Sequence, residues 1–364
     1  MKTRTSTYRL EYLDWLRGLG AIIMLQGHVF DSFLKPELRP GGAWVLSQFA
    51  GGMPPAIFLF LTGVTLAFLM DSSERKGLRG GARVFAAFRR SGYLFFLAFA
   101  FRAQMFLSGW PTAWTDLLKV DILNCMGFSI AVLSVMALFR TRQRVVAAAA
   151  VGLAIALAAP LVSAADWTRV PPAVANYLAP SRVAFGFFPW AAYLAFGVSA
   201  GSLIRSTTAE ATDGAMRWIA ASGGLTIVAA QACAASSHSI YKACDFWLNS
   251  PAQVLTKLGA TLVMLSAAYL WTRYGAHHGA WSWVRQFGVT SLLVYWVHIE
   301  LVYGRWLWFL KNGLTVAQTA AGATGVILLM LAISTLRTNW ARVRAALAEL
   351  GWWYAPTPER VPGD

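Results

Sequence analysis

Arg17 and His28 stand eleven residues apart at the start of the first long apolar stretch of this 364-residue chain, in Leu13-Asp14-Trp15-Leu16-Arg17-Gly18 and Gly27-His28. On an α-helix, eleven steps of about 100° return to within about 20° of the start and climb roughly 16 Å, so the two side chains share a face. Asp14 falls within about 60° of both. A neutral imidazole is a general base suited to pH 7, and a guanidinium is a ligand for phosphate or carboxylate. Ionisable groups inside an apolar helix mark a binding site, a relay or a pathway. For Arg17 and Asp14 alone, snorkelling at a membrane surface explains the charge equally well. It does not explain His28, which with Arg17 at one boundary stands past the midplane of a hydrocarbon core about 30 Å thick.

A second cluster lies in Gly288 to Glu300, where Ser291, Tyr295 and His298 follow i, i+4, i+7 spacing and are expected on one helix face lining an interior cavity. Hydrogen-bond glue between helices is the plainer alternative. Glu300 points elsewhere, placed to pair with Arg305 or to hold a polar acceptor. Lys257 has no partner in sequence and is expected to face the same cavity. Asn124 and Asp121 open another apolar run, with Asn124 a candidate for substrate contact and Asp121 for an ion pair with Arg102. His277 and His278 have no carboxylate or thiol at metal spacing and read as a solvated pair. Three cysteines, Cys125, Cys233 and Cys244, exclude a disulfide framework and a cysteine-rich metal site. Cys233 and Cys244 flank one connection and could pair, although two free thiols is the simpler expectation.

The elements that must position these groups are apolar. The chain is 57% hydrophobic and 13% charged, half the charge of a soluble protein, which predicts an all-α polytopic membrane protein. Ten segments of spanning length run over roughly 13–34, 54–70, 91–108, 121–139, 145–164, 184–204, 216–233, 251–271, 287–309 and 316–336. Of the 31 Lys and Arg, 20 fall in the termini and alternate connections and 8 in the remaining connections. The positive-inside rule therefore puts both termini in the cytoplasm, and it accounts for the net charge of +15 without a nucleic-acid partner. The basic start leads into an apolar run too long for a secretory signal, so that run is expected to be retained. Residues 1–336 are expected to form one transmembrane domain and 337–364 a cytoplasmic interfacial helix and tail, with Trp340, Trp352 and Trp353 beside basic residues. The connection 165–183, with Pro171, Pro172 and Pro180, is the candidate for an outer lid, and the Ala-rich span 145–164 for scaffold.

The opening motif, an Arg followed by ten residues and a His, is similar to that of the transmembrane acyltransferase superfamily, of the acyltransferase family 3 kind. Phe58-Leu59-Phe60-Leu61-Thr62-Gly63-Val64 resembles the second-helix motif of those proteins. Asp121-Ile122-Leu123 with Gly127, Phe188-Pro189-Trp190 with Gly197, and the Gly288 to Glu300 run look most like bacterial relatives of heparan-α-glucosaminide N-acetyltransferase. The resemblance implies transfer of an acyl group, usually acetyl, from cytoplasmic acetyl-CoA to a sugar amine or hydroxyl at the far side of a bacterial inner membrane. It puts His28 in the place of the catalytic histidine and Arg17 in that of its paired arginine. The residues fit that chemistry: His28 as base, or as the site of a covalent acyl-histidine in the runner-up mechanism, Ser291 or Tyr295 or a backbone N–H at the oxyanion, and Arg17 on a CoA phosphate beside the basic 71–90 connection, with no metal required. Such a protein meets acyl-CoA, a saccharide or other hydroxyl or amine acceptor, and the bilayer, with room for a homodimer. Heparan sulfate is not implied, because the large luminal portion of the lysosomal enzyme has no counterpart in these residues. A proton-coupled transporter or flippase is the alternative from another class, and no inverted repeat supports it.

Overall fold

The structure is a computed structural model. It describes residues 10–109, 113–236, 240–241, 244–275 and 281–349, the last four without their side chains. In chain order the helices are α1 (Glu11–Phe33), α2 (Gly42–Gly51), α3 (Pro54–Arg75), α4 (Gly80–Ser108), α5 (Ile122–Leu133), α6 (Thr141–Ser163), α7 (Pro172–Leu178), α8 (Phe187–Ser206), α9 (Thr212–Ala235), α10 (Pro251–Leu270), α11 (Trp283–Val289), α12 (Ser291–Val302), α13 (Val316–Thr338) and α14 (Trp340–Glu349). Each of the ten apolar segments is helical, and seven helices among the described residues are long and apolar enough to cross a membrane. The set does not include α1, whose 23 residues carry Asp14, Arg17, Gln26, His28 and Asp31. The outward face of α9 shows why lipid is required: Trp218, Leu225 and Val228 are all exposed, an apolar surface that water does not favour.

Two segments depart from the expected single spans. The segment expected over 287–309 is two helices, α11 and α12, separated at Thr290 with φ −113° and ψ 20°, and it ends at Val302. The segment over 121–139 is α5 followed by a tighter 3₁₀ turn, Ser134–Leu138. A close contact lies beside the first break. Gly288 presses on α1 so tightly that a Cβ there would stand 1.7 Å from the Asp14 carbonyl oxygen, and one on Gly18 would stand 1.8 Å from that of Val284. Residue 290 then turns the chain so that α12 can follow the second half of α1, where Ser32 Oγ donates to the Val302 carbonyl at 2.9 Å.

The larger hydrophobic core is centred on α3 and α8 and extends into α5, α6 and α10, with Phe60, Leu61, Tyr193 and Leu194 fully enclosed. Gly63 and Gly197 allow the α3–α8 contact, since a Cβ on either would stand 2.0 Å from a carbonyl of the other helix. A smaller core joins α1 to α11, α12 and α13 through Leu25, Val29, Phe33, Phe287 and Met330. At the end where α3 stops, Asp71 accepts from Arg75 and Arg205, and Glu74 accepts from Arg144. The Arg144 side chain is fully buried and also donates to the Met136 and Phe139 carbonyls, so its charge is paired rather than isolated. Cys125 is buried, and Cys233 and Cys244 are both exposed and free, the simpler of the two expectations. The tail begins with α14, of which Trp340 is 43% exposed; Trp352, Trp353, His277 and His278 lie outside the described residues.

Candidate active site

The periodicity of α1 places Arg17, Met24 and His28 on one wall of a cavity of about 520 Å³. The facing walls come from α3 (Phe58, Thr62), α4 (Arg90, Tyr93, Phe101, Arg102) and α12 (Ser291, Tyr295). Element directions sort the polar groups. Arg17 and Arg90 enter in the half nearer Glu11, Arg102 and Asp121 in the half nearer Phe33, and the stretch between is mostly apolar. A second cavity of about 330 Å³ adjoins the Phe33 end, sharing Arg102, Met105 and Tyr303 with the first and adding Lys119, Arg305, Lys311 and Asp116.

Arg17 Nη1 donates to Asp14 Oδ1 at 3.0 Å, and the guanidinium side chain remains 23% exposed while Asp14 is buried behind it. His28 is held differently. Its Nδ1 lies 2.9 Å from His298 Nε2, and the two rings stack with centroids 5.1 Å apart at 18°. His298 Nδ1 lies 2.7 Å from the Val294 carbonyl oxygen one turn earlier on α12. The Tyr303 ring meets His28 edge-on at 5.3 Å, and its hydroxyl donates to Asp31 at 2.9 Å. Beside them α2 is pinned to α1: Gln48 Nε2 donates to the Gly27 carbonyl at 3.0 Å, and Ser47 Oγ to Gln26 Oε1 at 2.9 Å.

Of the residues singled out by sequence, Arg17, His28, Ser291 and Tyr295 line the cavity together. Asp14 stands behind Arg17, and His298, with no exposed surface, stands behind His28. Asn124, Glu300 and Lys257 lie outside the lining, whereas Arg102 and Asp121 belong to it. Asn124 forms a reciprocal helix cap with Asp121 and donates to the Tyr177 hydroxyl at 3.0 Å, satisfying the start of α5. Glu300 is buried and accepts from Ser108 Oγ at 3.3 Å, while Arg305 reaches the Ser108 carbonyl, so Ser108 stands between the two residues expected to pair. Lys257 lies over the Trp190 ring at 5.6 Å and against Gly52. Arg102 and Asp121 form an ion pair at 3.2 Å. Sequence reasoning missed Tyr93, Asp31 and Tyr303, and reads Arg90 only as one residue of the basic 71–90 connection. Yet α4 begins at Gly80 and carries Arg90 almost three turns into the helix. The spacing of Asp31, three residues after His28, was the available signal for the Tyr303 contact.

A many-helix membrane protein whose largely apolar cavity carries a cation at one end and a hydrogen-bonded imidazole at the other has the form of a membrane-embedded group-transfer enzyme. Residues 9–232 match the family described as Heparan-alpha-glucosaminide N-acetyltransferase, catalytic, and the chain belongs to that family. It is a membrane acetyltransferase by family, and acetyl-CoA is the general donor there. The matched region contains Arg17 and His28 and stops before α10, so His298, Tyr295 and Ser291 lie beyond it. No curated protein matches the chain.

Proposed function

We propose that the chain moves an acetyl group from cytoplasmic acetyl-CoA to a sugar amine or hydroxyl presented from the other side of the bacterial inner membrane, with His28 as general base. The observation that carries this reading is the cavity itself, which runs along one face of α1 from Arg17 to His28. Roughly 16 Å of helix separates the two, so an extended thiol arm can lie along Met24 and Phe58 while its phosphates stay with Arg17 and Arg90. His28 takes a proton from the acceptor N–H or O–H as that atom bonds to the thioester carbonyl carbon. The oxygen of the tetrahedral intermediate is stabilised by the Tyr295 or Ser291 hydroxyl. The C–S bond then breaks, and the thiolate leaves with the proton that His28 accepted. The smaller cavity, with Lys119, Arg305 and Lys311, is the acceptor's way in. The positive-inside count supports this direction, with the Glu11 end of α1 in the cytoplasm.

The test follows free CoA from acetyl-CoA in the purified full chain with a panel of amino sugars and neutral and acidic glycans. Acceptor-dependent release in the wild type, lost in His28→Ala, is the expected result. No release with any acceptor, together with no binding of acetyl-CoA, overturns the reading.

A further inference from the structure

We infer that His298 is a positioning residue that fixes the tautomer of His28, so that the unprotonated nitrogen of His28 is the one facing the cavity. The inference rests on the reading of His28 as base and is carried by two contacts. A main-chain carbonyl can only accept, so the 2.7 Å contact between His298 Nδ1 and Val294 O requires the proton on that Nδ1. His298 is fully enclosed, and its neighbours are the backbone of Val294 and Tyr295, the Tyr295 ring and the His28 imidazole, none of which carries a negative charge to balance a buried positive one. Neutral His298 with its proton on Nδ1 has only a lone pair on Nε2. The 2.9 Å contact to His28 therefore has one donor left, His28 Nδ1. A neutral His28 with its proton there keeps its lone pair on Nε2, the nitrogen on the opposite side of the ring.

The pair thus does what a carboxylate does for a catalytic histidine elsewhere, with an uncharged partner. When His28 Nε2 takes the acceptor's proton, the Nδ1–H···Nε2 bond to His298 becomes charge-assisted and strengthens as the reaction advances. Stacking at 18° and the Tyr303 edge contact fix the ring plane, leaving the tautomer as the one freedom His298 must remove. His298 has no access to the cavity and touches neither donor nor acceptor.

The full chain, labelled with nitrogen-15 only in its five histidines and held in lipid nanodiscs, gives a readout independent of activity. The resonances that disappear in His28→Ala identify His28. A bare Nε2 and protonated Nδ1 at His28 in the wild type are expected, and a switch of that proton to Nε2 in His298→Leu. In kinetics, His298→Leu lowers kcat about 100-fold with KM for acetyl-CoA within about threefold, while His298→Gln, whose side-chain oxygen still accepts, stays within about tenfold of wild type. An unchanged KM and melting temperature show that the variants are folded. Protonated Nε2 at His28 in the wild type overturns the inference, and so does wild-type kcat in His298→Leu. Wild-type activity in His28→Ala would overturn the base reading instead, and the spectra would still decide the tautomer.

Discussion

The two polar ends of the cavity sit on one helix and are secured in opposite ways. Arg17 is ion-paired with Asp14, three residues away on α1, and its side chain stays 23% exposed. His28 is held by a residue 270 positions away, on a helix that must arrive, break at Thr290 and lie down along α1 before the contact exists. A group secured by its own helix can follow a mobile, charged ligand. One secured across the fold keeps a single geometry, which proton transfer requires. The difference predicts that the Arg17 end governs how well the donor binds, and the His28 end how fast it reacts.

Four substitutions break or sharpen that contrast. The largest effect belongs to Gly288→Val, which removes both ends together: the new side chain meets the Asp14 carbonyl where even a Cβ would be at 1.7 Å, so little folded protein is expected on size exclusion in detergent. His28→Ala follows, with kcat lower by about 10³-fold and donor affinity by isothermal titration close to wild type. Loss of donor affinity in that variant would erase the contrast. Arg17→Ala does the reverse, raising KM for acetyl-CoA about tenfold or more through the loss of a charge-assisted hydrogen bond, with a smaller effect on KM for the acceptor. Equal effects on both substrates would make Arg17 a folding residue. The smallest effect is expected at Asp245, an exposed carboxylate outside the spans, paired with Arg182. Backbone hydrogen bonds from Trp247 and Leu248 and the charge of Arg182 hold its pKa below the ordinary 3.8, with the Trp247 bond the largest cause. A depressed carboxylate pKa stabilises the fold above the unfolded value and ceases to do so as pH falls through the folded one. Asp245→Asn should therefore melt slightly lower than wild type near pH 7, and the gap should close below pH 3.8.

Much of this was legible in sequence where the physics is local. Helical spacing placed Arg17 and His28 on one face, apolar length found the ten helical segments, and the charge of Arg102 and Asp121 across a short connection foretold their pair. What depends on partners far along the chain was not. Ser291, Tyr295 and His298 do share a face, yet nothing in their spacing says that His298 stops behind His28 while the other two reach the cavity. Asn124 looked available because capping and ligand binding use the same side-chain chemistry, and only the Tyr177 contact separates them. The break at Thr290 has no proline, and Gly288 beside it is a weak signal in sequence; what stands out only in the fold is its close contact with α1.

The 270-residue separation of the two histidines also sets an order of events during synthesis. Arg17 and His28 are made well before the residue that engages His28, 270 positions later. At about 5–20 residues per second, roughly 15–50 s pass before the partner exists. Throughout that interval the imidazole is without its His298 partner. The histidine pair is complete only when α12 closes over α1.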